Sequence, residues 1–253
     1  MSAFAMIPLT LRALRQRFLL LFAFAGAFLL AAFSARALSG AGDHVELDRI
    51  FELGGPTLGA AYIVIGWLVG RFPLLVTLVL LAGVFSHDRH TGTARILLAR
   101  PVSPVALHGV RFLALTFTAF LLAALLLPLF DLVMLGRWAG PATFVLIAAN
   151  VIAYGGLIAL LSSLTRADAW IALLLTILAI TWNALRTVGM LDALPPGGRQ
   201  FVTLILPPHG SLLALEAAFG NLEPIPWNAF TDVCIYGASM LALGLFLFHR
   251  SEH

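Results

Sequence analysis

Residues 143–164 read TFVLIAANVIAYGGLIALLSSL, a run without one charged side chain. A helix of roughly 20 apolar residues crosses a hydrocarbon core of about 30 Å, so this run is long enough to span a bilayer. Lipid offers no partner to a backbone N–H or C=O, so a spanning segment must close its own hydrogen bonds as a helix. Gly155 and Gly156 in its middle predict a close approach by another helix.

Working outward, comparable apolar runs cover Phe18–Leu38, Leu58–Ser86, Phe112–Phe130, Ala169–Leu185 and Asn228–Phe248. With the opening run they predict an all-α, polytopic membrane protein of six transmembrane helices in a single domain, residues 1–253. The composition agrees. Of 253 residues 61% are hydrophobic and 11% charged, with a mean hydropathy of +1.00. A water-facing domain carries about a quarter charged residues, so a soluble fold is excluded. The run 58–86 is too long for one untilted span and holds Arg71 and Pro73; it predicts one span kinked at Pro73, with an extended or re-entrant outer half.

All fifteen basic residues are Arg. Without Lys there can be no G-x-x-x-x-G-K-[ST] phosphate loop, so this chain does not bind ATP by that device. Arg12, Arg15 and Arg17 precede the first span; Arg89, Arg95, Arg100 and Arg111 fall in or beside the second loop; Arg166 and Arg250 lie in the fourth loop and the tail. Placing both termini in the cytoplasm puts all of these inside, while Asp43, Glu46, Asp48, Glu52, Asp131, Asp192, Glu216 and Glu223 collect outside. The net charge of +3 and pI near 9.7 therefore express topology, and no basic, aromatic-interleaved face points to nucleic acid.

The N-terminal arginines, the first apolar run and Ala35-Arg36-Ala37 imitate a cleavable signal, but the length of the run and five further spans predict an uncleaved helix. Residues 1–17 then form a cytoplasmic surface helix opened by Pro8. Residues 186–227, with Pro195, Pro196, Pro207, Pro208, Pro224 and Pro226, cannot be one helix; Phe201–Leu206 and Leu212–Phe219 predict re-entrant or interfacial pieces of an outer loop.

The dense charge at 85–103, FSHDRHTGTARILLARPVS, falls in the cytoplasmic loop between spans two and three. Gly92 permits a sharp turn, Thr93 can cap a helix, and Ala94–Arg100 gives about two turns before Pro101 stops it. Ala94, Leu97 and Leu98 share a face from which Arg95 points away, so a short amphipathic helix lies along the membrane surface.

This stretch resembles the first cytoplasmic loop of permeases of type 2 ATP-binding-cassette (ABC) transporters, whose pattern is close to E-x-x-x-G-T-x-x-x-L-L-x-x-P-V-S-R with a basic residue eight positions after the Ser. Asp88, Gly92, Thr93, Leu97, Leu98, Pro101, Val102 and Ser103 stand in that register, with Arg111 at the later position. Asp88 replaces the usual Glu, Pro104 the usual Arg, and Gly109 falls one residue early. The six-span layout, the surface N-terminal helix and the broken last outer loop are similar as well.

The resemblance implies that residues 87–106 are a coupling loop, with Asp88, Arg89, Gly92, Thr93, Arg95, Leu97, Leu98, Arg100, Pro101 and Ser103 seating on a separate cytoplasmic ABC ATPase subunit. That partner would bind ATP and Mg; this chain would carry no cofactor and do no catalysis. It would export a substrate across a cell membrane, a bacterial inner membrane by resemblance, paired with a second permease copy as a homodimer. An alternative within the resemblance is a permease that relays ATP-driven motion to a periplasmic partner, as in copper-enzyme maturation. A secondary transporter is the further alternative, though paired intramembrane acids and related halves are not seen in the sequence.

Four intramembrane polar residues are candidates for a pathway: Arg71, whose charge is costly in an apolar run, and Asn150, Tyr154 and Asn183. Snorkelling and helix-to-helix hydrogen bonds are their structural alternatives. His87 and His90 have no evident third ligand, so no metal site is expected. Gly40-Ala41-Gly42-Asp43 spells an aspartyl-protease G-x-G-D without a second intramembrane Asp to share a proton.

Overall fold

The computed structural model describes residues 14–39, 52, 55–57, 59–60, 63–64, 70–86, 104–136, 138, 140–221 and 223–251. The loop 87–103, residues 1–13 of the surface helix and most of the outer half of the second span lie outside the described residues. Eight helices make up the described architecture, with no strand among the described residues: α1 (Arg15–Ser39), α2 (Phe72–Leu81), α3 (Pro104–Leu135), α4 (Ala142–Leu164), α5 (Asp168–Thr187), α6 (Pro196–Ile205), α7 (His209–Asn221) and α8 (Trp227–Ser251). Five of them, α1, α3, α4, α5 and α8, are long and apolar enough to cross a membrane. The pair α6 and α7, bent by 67° at its break, makes six if it counts as one span.

Where the apolar side chains go identifies the solvent. Leu113, Phe117, Leu121 and Leu125 form an exposed row along α3, and Trp170, Leu174, Ile177 and Leu178 cover the outside of α5. Such rows would be untenable in water and are expected against acyl chains, where only protein-facing positions need polar or small side chains. The protein is a multi-pass membrane protein.

The bundle is organised around α4, which packs against α2, α3, α5, α7 and α8. Its contact with α8 is the most extensive and is made by small residues. A Cβ on Gly156 or Gly237 would run into backbone of the facing helix, and one on Gly244 would lie 2.8 Å from the Ala159 carbonyl carbon. Gly237 and Gly244 are seven residues apart, two turns along one face, so the two backbones approach over a sustained stretch. The two glycines of the opening run are unequal: a Cβ on Gly155 meets only Phe112 Cζ at an ordinary 3.7 Å. On the other side of α4, the small face Ala172, Thr176, Ala179 of α5 is buried at i, i+4, i+7 spacing.

Two boundaries differ from the sequence reading. The break expected at Pro73 lies at Arg71 (φ −92°, ψ 2°), and Pro73 sits in the first turn of α2, where its missing N–H has no helical acceptor to lose. Pro104 opens α3 two turns ahead of the apolar run, so residues 104–106, read from the sequence as the end of a loop, are helical. Pro128, inside α3, leaves the helix unbroken.

Substituting Gly237→Ala is expected to lower the apparent unfolding temperature, corresponding to about 1–3 kcal/mol of overpacking. Gly26→Leu, on α1 with nothing within 4 Å of a built Cβ, should leave it unchanged. Size-exclusion chromatography of heated, detergent-solubilised protein checks both.

Candidate functional site

Two polar constellations occupy opposite ends of α2. The first is a collar around the points where residues 87–103 leave and rejoin the bundle. Helix α2 stops because Gly83 takes a left-handed φ of +72°, accessible without a Cβ, while Ala82 N–H donates to Leu78 O. The carbonyls at its last turn would be orphans in an apolar setting. Arg17 of α1 donates to three of them: Val79 O (3.1 Å), Leu80 O (3.4 Å) and Ala82 O (2.6 Å).

The turn after α2 is tied to the α4–α5 connection. Gly83 N–H donates to Asp168 Oδ2 at 2.6 Å, and the N–H groups of Phe85 and Ser86 both donate to Ser162 Oγ at 2.9 and 3.0 Å. Asp168 is 2% exposed; its other oxygen accepts from Ala169 N–H at 2.8 Å, and the Arg17 charge acts on it across the gap. A buried carboxylate needs such partners to remain in place.

Aromatic packing closes the ring. Phe85 lies 6.0 Å, centroid to centroid, from His108 on α3 and 5.2 Å from Phe248 on α8, and His108 and Phe248 are 4.6 Å apart. The start of α1, the end of α2, the start of α3, the end of α4, the start of α5 and the end of α8 therefore meet at one end of the bundle. Arg15, Arg17, Arg111, Arg166 and Arg250 lie at or beside these helix ends.

The second constellation lies at the other end of α2. Arg71 forms an ion pair through Nη1 with Glu216 Oε2 of α7, the two side chains 15% and 30% exposed. Its charge also acts on His209, in the first turn of α7, and on Tyr154 of α4. Tyr154 is 2% exposed, and the Thr176 hydroxyl of α5 donates to Ala172 O at 2.7 Å. α7 takes its position from the break at Pro207-Pro208, where Leu212 N–H donates to Pro208 O at 3.0 Å.

The structure thus pairs Arg71 with Glu216 and places Asn183 beside α7, its Oδ1 3.1 Å from a Cβ built on Gly210. Asn150 donates through Nδ2 to Leu146 O of its own helix at 2.9 Å. Asp88, Arg89, Gly92, Thr93, Arg95, Leu97, Leu98, Arg100, Pro101 and Ser103 lie outside the described residues, as do His87 and His90. Among the described residues no group of three or more His, Cys, Asp or Glu side chains could hold a metal ion. Sequence reasoning missed Asp168 and Ser162 altogether, and His209, after the two prolines of the outer loop, carried only a weak metal-ligand signal. It had Glu216 only as one outer acid of eight; the sole available signal was that Arg71 in an apolar run demands a partner.

No family model matches this chain, and neither a curated protein nor a solved structure does.

Removing the acid takes from the largely buried Arg71 guanidinium its Glu216 partner. Glu216→Ala is expected to cost about 1–3 kcal/mol, less than a fully buried pair because both groups retain some exposure. The exchanged pair Arg71→Glu with Glu216→Arg should recover part of that loss in the same thermal assay, whereas Arg71→Glu alone should not.

Proposed function

We propose that this chain is the membrane-spanning subunit of a type 2 ABC exporter, with residues 87–103 as the segment that docks on a separate ATPase. The observation that carries the reading is the collar: the ends of the segment that resembles the type 2 coupling loop are held side by side at the bundle end where arginines gather. A segment that transmits force needs ends that do not give, and here the departing end is clamped by Arg17, Asp168 and Ser162.

On this reading the basic end faces the cytoplasm and carries both termini, following the positive-inside rule. α1, α3 and α5 run outward and α8 returns, as does α4; α2 forms the inner part of the second span, for six spans in all. Docking by Asp88, Arg89, Arg95 and Arg100 passes the closure of an ATPase pair through the collar into α2 and α3. The ATPase holds ATP and Mg and performs the phosphoryl chemistry; this chain contributes path and lever. A second copy of the chain completes the pathway in a bacterial inner membrane. Such alternation requires two arrangements of the bundle that nucleotide binding favours differently.

Tagged protein purified from native membranes in mild detergent should bring down a soluble protein bearing a Walker A motif. Asp88→Arg, which reverses the charge at the docking segment, should reduce that recovery by at least roughly tenfold. Absence of an ATPase from wild-type preparations in every detergent tried would rule the reading out.

A further inference from the structure

A cavity of about 340 Å³ lies where α5, the α6–α7 break and α8 meet. It adjoins a second of about 490 Å³, with which it shares Trp182, Arg186, Thr203 and Leu204, so the two form one groove. This volume falls in the range of small-molecule sites. Neither cavity is part of the collar or of the Arg71–Glu216 pair.

The groove carries opposite charges that do not neutralise one another. Arg186, in the last turn of α5, makes no ion pair among the described residues. Across the cavity Asp232 of α8 also lacks an ion pair among the described residues; it accepts a 3.4 Å hydrogen bond from Ser211 Oγ at the start of α7. The other cation of the groove wall, Arg199, is ion-paired with Asp192 at 3.0 Å. A cation and an anion held apart in one cavity complement a ligand that bears both signs.

Below the charges the wall is apolar. From Asp232 to Met240 the cavity follows α8 for about 12 Å at 1.5 Å per residue. Ile235, on this stretch, is 61% exposed, so the cavity opens sideways on the face where other apolar residues of α8, Leu243 and Phe246, meet acyl chains. Trp182 at the rim is the kind of side chain that settles at the boundary between headgroups and tails. Tyr236 is turned away to a structural task, donating to Ile205 O at the end of α6 at 3.2 Å.

We propose that this groove binds a zwitterionic amphiphile whose phosphate pairs with Arg186 and whose primary ammonium pairs with Asp232, with a phosphoethanolamine lipid entering from the side. A primary ammonium is specified because Asp232 and Ser211 offer oxygen acceptors, whereas a quaternary ammonium needs an aromatic cage. The site is independent of the ATPase reading and can be tested on this chain alone.

The test is native mass spectrometry of delipidated protein titrated with matched-chain phosphatidylethanolamine, phosphatidylglycerol and phosphatidylcholine, and with soluble phosphoethanolamine as competitor. Wild type should retain the ethanolamine lipid at least fivefold better than the other two. Asp232→Asn should abolish that preference while leaving glycerol-lipid binding in place, and Arg186→Gln should weaken all three, both variants keeping the wild-type melting temperature. Competition by soluble phosphoethanolamine would keep the headgroup site and assign its source to a soluble compound. Equal retention of the three lipids by wild type, or a preference unmoved in Asp232→Asn, would overturn the proposal.

Discussion

In a bilayer, water does not press helices together, because a leucine is as well accommodated by an acyl chain as by another leucine. Helices hold where their backbones can come close enough for dense van der Waals contact. The approach of α8 to α4 through Gly156, Gly237 and Gly244 is that contact here, and the other elements take their places from it. At one end of the bundle, it brings Phe248 onto Phe85 and His108. At the opposite end, it sets Tyr236 beneath the end of α6 and Asp232 beside the start of α7.

Helix α2 is the second constraint. Its ten residues rise only about 15 Å, half a hydrocarbon core, and its body is apolar and buried. Polar anchoring is confined to its ends: the Arg71–Glu216 pair before the first turn, and Arg17, Asp168 and Ser162 at and after the last. A short helix fixed at both ends and slippery between is suited to moving as a rod. In the proposed function it links the docking segment to α7 and hence to the broken outer pair, without requiring α4 and α8 to separate.

Much of the helical layout was legible. The runs Thr143–Leu164, Ala169–Leu185 and Asn228–Phe248 fall within two or three residues of α4, α5 and α8, because a span's length is set by the bilayer and its ends by charge and proline. Prolines at 207 and 208 announced the break between α6 and α7. The break falls at Arg71, two residues before the proline at which it was expected, with Pro73 in the first helical turn that follows. Of the pathway candidates, Arg71 pairs with Glu216, a residue 145 positions away that no local pattern could name.

By itself the sequence determined that this protein is a set of apolar helices in a membrane, since hydropathy and span length depend on composition and local order alone. It also carried the charge asymmetry and the patterned loop at 85–103 from which a function is proposed. Only the tertiary structure decided which of two adjacent glycines is indispensable, which of eight acids neutralises Arg71, and that Asp168 and Ser162 hold the turn after α2. These are questions of which faces meet. Each α-helix presents several, and hydrophobic matching cannot choose among them in lipid; the choice falls to close packing and to polar groups that must find partners across the bundle.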